Sequence, residues 1–148
     1  MPYGNFRNIK ANNLDIKLDP RGSLAEILRA DDELFEKFGQ VYFTKTLPLQ
    51  IRGIHRHRLH ADMICCISGK INLLTISDED SPPHLEEIIL DGQSPVLIKI
   101  PTMIWHGWQC ISEEPALVVS ITETPFNPAF PDAEQIDPIQ NLWSYQWK

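Results

Sequence analysis

An all-β fold, a small antiparallel barrel or two-sheet sandwich, is what this sequence predicts, and three observations predict it. Seven short runs, at residues 40–46, 50–54, 63–68, 71–76, 85–90, 96–100 and 116–122, are apolar or alternating and too short for helices. They are separated by turn clusters such as Ser77-Asp78-Glu79-Asp80-Ser81-Pro82-Pro83 and Asp91-Gly92-Gln93-Ser94-Pro95. The chain also holds 12 Pro and 7 Gly, the residues that close tight connections between strands. At 148 residues it suits one domain with one core, residues 1–148.

In chain order, residues 1–18 alternate loosely and read as an N-terminal strand or arm, bounded by Asn12-Asn13 and Asp19-Pro20. Asp19-Pro20-Arg21-Gly22 is turn chemistry, because Pro fixes φ and Gly takes conformations other residues avoid. Residues 23–29 read as a strand or as the start of a helix. Residues 31–39 predict one short helix: acids fill its first turn, Leu34 and Phe38 stand at i and i+4, and Gly39 can end it. The seven strands follow. Residues 125–148 form an irregular, proline-rich tail that carries Phe126, Phe130, Trp143, Tyr145 and Trp147, expected to lie on the body and to help form a subunit contact.

Composition excludes several functions. No run approaches the ~20 apolar residues of a membrane span, and Met1-Pro2-Tyr3-Gly4-Asn5 lacks the regions of a secretory signal, so a cytoplasmic protein is expected. A net charge of −7 argues against nucleic acid as a partner, although local arginines could hold a small anion. Cys65 and Cys66 point to opposite strand faces and cannot serve one site, and with Cys110 they read as buried thiols.

Chemistry concentrates in Arg52-Gly53-Ile54-His55-Arg56-His57-Arg58-Leu59-His60-Ala61-Asp62, which holds three of the five histidines. An H-x-H pair on a strand puts both imidazoles on one face, as a metal or a shared substrate requires. Asp62 could converge with His55 and His57 across a turn; a solvated, arginine-rich loop is the alternative. Downstream, His106 lies among bulky apolar residues in Ile100-Pro101-Thr102-Met103-Ile104-Trp105-His106-Gly107-Trp108. By itself it reads as a satisfied core histidine.

Together these segments resemble the two cupin motifs. His55, His57, Asp62 and Gly69 fit G-x5-H-x-H-x3-4-E-x6-G with Asp for Glu, and Pro101 and His106 fit P-x-G-x2-H with Met103 for Gly. The chain is more closely similar to the dTDP-4-dehydrorhamnose 3,5-epimerase family of cupins. The resemblance runs through Asp19-Pro20-Arg21-Gly22-Ser23-Leu24-Ala25-Glu26, Phe38-Gly39-Gln40, Arg52-Gly53-Ile54-His55 and the segment from Ile100 to Trp108. It implies a double-stranded β-helix, or jelly-roll, barrel, a homodimer, and a nucleotide-activated keto-deoxy sugar as ligand. It further implies epimerisation or keto isomerisation by proton transfer next to the carbonyl, with no cofactor. Residue by residue, it makes His55 the catalytic base and His106 the second active-site histidine, with Arg21, Glu26, Gln40 and Arg52 binding the nucleotide sugar.

Three departures from that family bear on the reaction. Its enolate-binding lysine is matched by Asp62, its catalytic tyrosine falls in Thr124-Pro125-Phe126-Asn127-Pro128 where no Tyr occurs, and its later Asp would lie past Lys148. A carboxylate at Asp62 is expected to repel an enolate. His57, where the family usually has Gln, restores with His55, Asp62 and His106 the three-His, one-carboxylate set of metal cupins. The alternative is therefore a metal-dependent cupin, a dioxygenase, isomerase or lyase with one divalent ion, or else a non-catalytic sugar-binding cupin.

Overall fold

The computed structural model describes residues 6–140 and 143–148, so the first part of the expected N-terminal arm, residues 1–5, lies outside the described residues. The strands are β1 (Lys10–Asn13), β2 (Ile16–Asp19), β3 (Gly22–Ala25), β4 (Gln40–Thr46), β5 (Ile51–His57), β6 (Asp62–Ser68), β7 (Lys70–Ser77), β8 (His84–Asp91), β9 (Val96–Ile100), β10 (Trp105–Cys110), β11 (Ala116–Thr122) and β12 (Ala133–Gln135). Two five-stranded antiparallel sheets, in the orders β1-β9-β6-β11-β4 and β12-β5-β10-β7-β8, face each other, and β2-β3 is a separate hairpin. The all-β, two-sheet antiparallel architecture expected from the strand pattern is the fold, in the jelly-roll form that the cupin resemblance implies. Among the described residues no helix is long and apolar enough to cross a membrane.

The central strands of both sheets are covered on both faces, which is why they read as continuous apolar runs. In β6, Ile64 and Cys66 point inward to a core shared with Ile71, Leu73, Ile88, Leu90, Trp108 and Cys110 of the opposite sheet. Met63 and Cys65 point outward, beneath Leu14, Ile27, Leu28 and Leu34. The expected opposition of Cys65 and Cys66 therefore holds. Burial pushes the Cys65 thiol up to about 12 and the Cys66 thiol up to about 11. Both thiols stay protonated at neutral pH, and iodoacetamide is expected to leave them unlabelled in native protein, with full labelling after denaturation.

The outer face of the second sheet is covered by the tail, whose Ile136, Trp143, Tyr145 and Trp147 pack on Ile54, Leu74, Ile76 and Trp105. Two buried amides anchor it. Asn72 Nδ2 donates to Tyr145 Oη at 2.8 Å and to Glu87 Oε1 at 3.1 Å, and Gln109 donates to the Lys148 carbonyl at 2.9 Å while accepting from its N–H at 2.9 Å.

Three local expectations need correction. Residues 31–39 form turns, not a helix. Asp31 and Asp32 are taken by Arg29, whose N–H donates to Asp32 Oδ2 at 2.7 Å and whose Nε donates to Asp31 Oδ1 at 2.8 Å, and Glu36 pairs with Lys99 at 3.2 Å. The Leu34 carbonyl accepts from Lys99 Nζ at 3.0 Å rather than from an i+4 amide, and Phe38 is left 62% exposed, so the i, i+4 pair never forms one buried stripe. The single helical turn of the described residues is a 3-10 turn at Pro138–Gln140. Two strands escape the sequence pattern: β10, buried throughout and interrupted by Gly107, shows no alternation, and β12 is a three-residue strand within the tail. The strand expected over 23–29 ends at Ala25.

Candidate active site

β5 and β10 lie side by side with His55 opposite His106 in register. The strands approach so closely that a Cβ on Gly107 would sit 2.6 Å from the Arg52 carbonyl oxygen, and one on Gly53 would sit 2.7 Å from Gly107 Cα. Only glycine permits that spacing, and Gly53 also has a φ of 109°. The result is a histidine cluster on the inner face: ring centroids of His55 and His106 are 4.3 Å apart, and those of His55 and His57 are 5.2 Å apart.

The turn before β10 holds the cluster from the other side, since the Met103 N–H donates to the His57 carbonyl at 2.8 Å. Met103 occupies the left-handed region, φ 67°, where the cupin motif has Gly. Relieving a left-handed side chain outweighs the extra freedom glycine gives the unfolded chain, so Met103→Gly is expected to stabilise by roughly 0.5–1 kcal/mol, read as a higher denaturant midpoint at unchanged slope.

Asp62 reaches this cluster from β6 of the opposite sheet, its side chain only 4% exposed. Its Oδ2 lies 3.0 Å from Nε2 of His57, 3.0 Å from Nε2 of His106 and 3.7 Å from Nε2 of His55. Burial opposes its ionisation, but the contacts from His106, His55 and His57 outweigh burial and hold the carboxyl well below the usual carboxylate range. Burial, reinforced by His106, lowers His55 to about 4, with Asp62 offsetting part of the effect. His55 is therefore a neutral imidazole at neutral pH, next to an ionised Asp62.

His106 Nδ1 lies 2.9 Å from the Ile104 carbonyl while Nε2 faces the Asp62 carboxylate. Both partners are acceptors. The two contacts are satisfied together when each ring nitrogen carries a proton, or when a cation replaces the Nε2 proton. The nitrogens of His55, His57 and His106 and one Asp62 oxygen all fall within 4.8 Å of one another, a set that could hold a divalent metal.

Above the cluster opens a cavity of about 670 Å³, lined on one side by His57, Leu59, His60 and Asp132, on the other by Gln40, Tyr42 and Thr122, and at its rim by Phe126 and Phe130. Sequence reasoning singled out none of His60, Asp132 and Tyr42 as site residues. His60 is buried, its ring stacked on His57 at 4.2 Å, with Nδ1 3.5 Å from Asp62 Oδ1 and Nε2 3.7 Å from Asp132 Oδ2. Asp132 also accepts the Arg58 and Leu59 amides at 3.2 and 2.9 Å. Tyr42 could have been found, because it stands two residues after Gln40 on the same strand face. Asp132, in the irregular tail, gives no local signal.

The expected site residues divide. His55, His57, Asp62 and His106 converge, and Gln40 lines the cavity with His57, its Oε1 accepting the Phe126 N–H at 3.0 Å. Arg21 projects from the β2–β3 turn with its side chain 90% exposed, paired with Asp19 at 2.8 Å. Glu26 pairs with Arg29 at 3.2 Å. Arg52 donates to the Lys45 carbonyl at 3.1 Å and lines a separate cleft of about 330 Å³ with Lys45 and Gln50. Among the described residues lining the large cavity there is no Lys or Arg.

Residues 17–134 match the family described as polysaccharide biosynthesis C-terminal domain. A Haloferax volcanii protein named as a probable low-salt glycan biosynthesis epimerase is 30% identical over 137 residues, covering 89% of this chain and 88% of its own length. A spore coat polysaccharide biosynthesis protein of Bacillus subtilis is 27% identical over 142 residues, 94% of each chain. The solved structure of a dTDP sugar isomerase from Desulfovibrio desulfuricans superposes with a TM-score of 0.87 at 24% identity, covering 99% of this chain and 92% of that one. The shared fold is the cupin jelly roll, which the two motifs had implied.

Proposed function

This chain belongs to the polysaccharide biosynthesis C-terminal domain family, and we propose on that premise that it is an isomerase of nucleotide-activated keto-deoxy sugars. It would epimerise or isomerise the sugar by proton transfer next to the carbonyl. The observation that carries this reading is a neutral His55 beside a buried, ionised Asp62, in a cluster whose His57 lines a sugar-sized cavity. An imidazole in that state can accept a proton from carbon at neutral pH.

The repulsion expected between Asp62 and an enolate is reduced by the histidines around the carboxylate. Its Oδ2 is taken by His57 and His106 and its Oδ1 faces His60, so histidine edges rather than a bare carboxylate border the reacting centre. Asp62 then acts as the group that orients the histidines and balances a proton held among them. Phe126 and Phe130, 64% and 82% exposed at the rim, offer faces on which a nucleobase can stack. Arg52 lies in a separate cleft, so Arg21, whose planar fork suits a diphosphate, is the arginine this reading assigns to it. Arg21 lies on a hairpin that exposes Leu18 and Leu24, and a homodimer burying those side chains against a second copy would bring it to a site.

Incubation with a dTDP-4-keto-6-deoxy sugar in D₂O tests the reading: deuterium is expected at C3 or C5, and no uptake at either carbon rules the chemistry out for that substrate. A second reading is favoured by the convergence of three Nε2 atoms on one carboxylate oxygen. Such a donor set suits a divalent transition metal, which would polarise the ketone oxygen when bound. Metal analysis of protein purified without chelator or nickel resin separates the two, with stoichiometric metal supporting the second and metal-free protein that still exchanges deuterium supporting the first.

A further inference from the structure

Inverting a carbon centre needs a proton donor on the face opposite the base, and the donor must be able to lose and regain a proton. The base and its partner histidines stand on β5 and β10 of one sheet; His57 lines the cavity, with the His55 ring centroid 5.2 Å behind it. The facing wall belongs to β4 and β11 of the other sheet and presents Gln40, Tyr42, Thr122 and Thr124 to the cavity. Among these, amide and aliphatic hydroxyl groups do not donate a proton to carbon, which leaves one phenol.

We infer that Tyr42 is the general acid that delivers a proton to the substrate carbon from the face opposite His55. The inference rests on the proton-transfer reading of the site. Its placement follows from register: Tyr42 pairs with Ser120, and one row toward the cavity mouth Gln40 pairs with Thr122, which pairs in turn with Asp62. Tyr42 is thus on the cavity-facing side of β4, one row from Gln40 with Ser120 beside it, and is 45% exposed, to the open cavity it lines. Val41 and Phe43, which flank it on the strand, are 55% and 72% exposed on the outer face. Burial and the negative charge of Asp62 raise the Tyr42 hydroxyl above its ordinary value, while Ser120 works in the other direction. The phenol is accordingly protonated before the reaction, as an acid must be.

The proton balance closes without a cofactor. His55 takes the proton from the carbon next to the keto group, and the electron pair passes to the carbonyl oxygen. The enolate collapses as the Tyr42 O–H bond breaks and a C–H bond forms on the opposite face. Solvent then returns a proton to the phenolate and removes one from the His55 imidazolium.

Tyr42→Phe keeps the ring and removes only the acid, so the test compares two readouts in D₂O on the full chain with a dTDP-4-keto-6-deoxy sugar. Deuterium wash-in to recovered substrate is expected to stay within a few-fold of wild type, because His55 still exchanges the proton on its own face. Formation of the inverted product is expected to fall at least about 100-fold. A Tyr42→Phe protein that inverts at the wild-type rate overturns the assignment, and so does a folded variant, checked by its thermal midpoint, in which wash-in and inversion fall together. Wild-type protein that washes in no deuterium overturns the proton-transfer reading and this assignment with it, which distinguishes the two failures.

Discussion

Replacing His55 with Asn is expected to lower kcat/KM for a dTDP-4-keto-6-deoxy sugar by about 10²- to 10⁴-fold, the usual contribution of a positioned general base. Asn keeps the size and a polar edge but cannot take a proton from carbon. Deuterium wash-in should be lost together with product, in contrast to the Tyr42 variant, and wash-in at the wild-type rate would remove His55 from the mechanism. The pH profile gives an independent check. Burial lowers His55 to about 4, and the neutral form is the active one. In protein stripped of divalent metal, kcat/KM should therefore hold steady between about pH 6 and 8 and decline only as pH falls toward His55's own value. An ordinary exposed histidine would place that decline near 6.5 instead. The same depression has a stability sign. Because the folded state disfavours the His55 imidazolium, the stability it contributes is fully present above about 6.5 and is lost as pH falls toward 4.

Adding one methyl group at Gly107 is the second large effect expected. The new Cβ of Gly107→Ala would meet the Arg52 carbonyl oxygen at 2.6 Å and Gly53 Cα at 3.3 Å, and backbone in a paired strand cannot swing aside as a flexible side chain can. Separating β5 from β10 would cost about 3 kcal/mol or more, since it lengthens ladder hydrogen bonds and opens the packing of Ile54 and Trp108 together. Gly22→Ala is the matched control. Gly22 has a positive φ, 138°, which Gly107 does not, and a Cβ there meets nothing within 4 Å, so its substitution reports backbone strain alone, roughly 1–2 kcal/mol. Equal denaturant midpoints for the two variants would show that close approach of the strands is not what Gly107 provides. A Gly107→Ala protein that does fold should also lose epimerisation, because its His55 and His106 would no longer share one centre.

The sequence by itself determined the scaffold and half of the site. Strand runs with turn clusters specify two antiparallel sheets, and period-two geometry specifies that His55 and His57 share a face while Cys65 and Cys66 do not. The motif glycines Gly53 and Gly107 were legible as a close approach only in hindsight, since one glycine in a strand does not name its partner. Local periodicity reports which face of an element a residue occupies, and that information is complete within a few residues.

Tertiary structure decided everything that depends on which faces meet. Asp62 could be read as a possible ligand, but its effect on His55 and His106 depends on β6 lying across from β5 and β10 in the opposite sheet. The carboxylate of Asp132, 73 residues from the Leu59 amide it accepts, has no counterpart in any local pattern. Residues 31–39 fulfil each local rule for a helix and still form turns, because Arg29 takes Asp31 and Asp32 and Lys99 takes the Leu34 carbonyl. Helical hydrogen bonds in so short a segment are worth little, and a buried lysine that needs an oxygen decides against them. The cavity wall that carries Tyr42 was fixed the same way: sequence gives the strand and its face, and only the pairing of β4 with β11 turns that face toward the histidines.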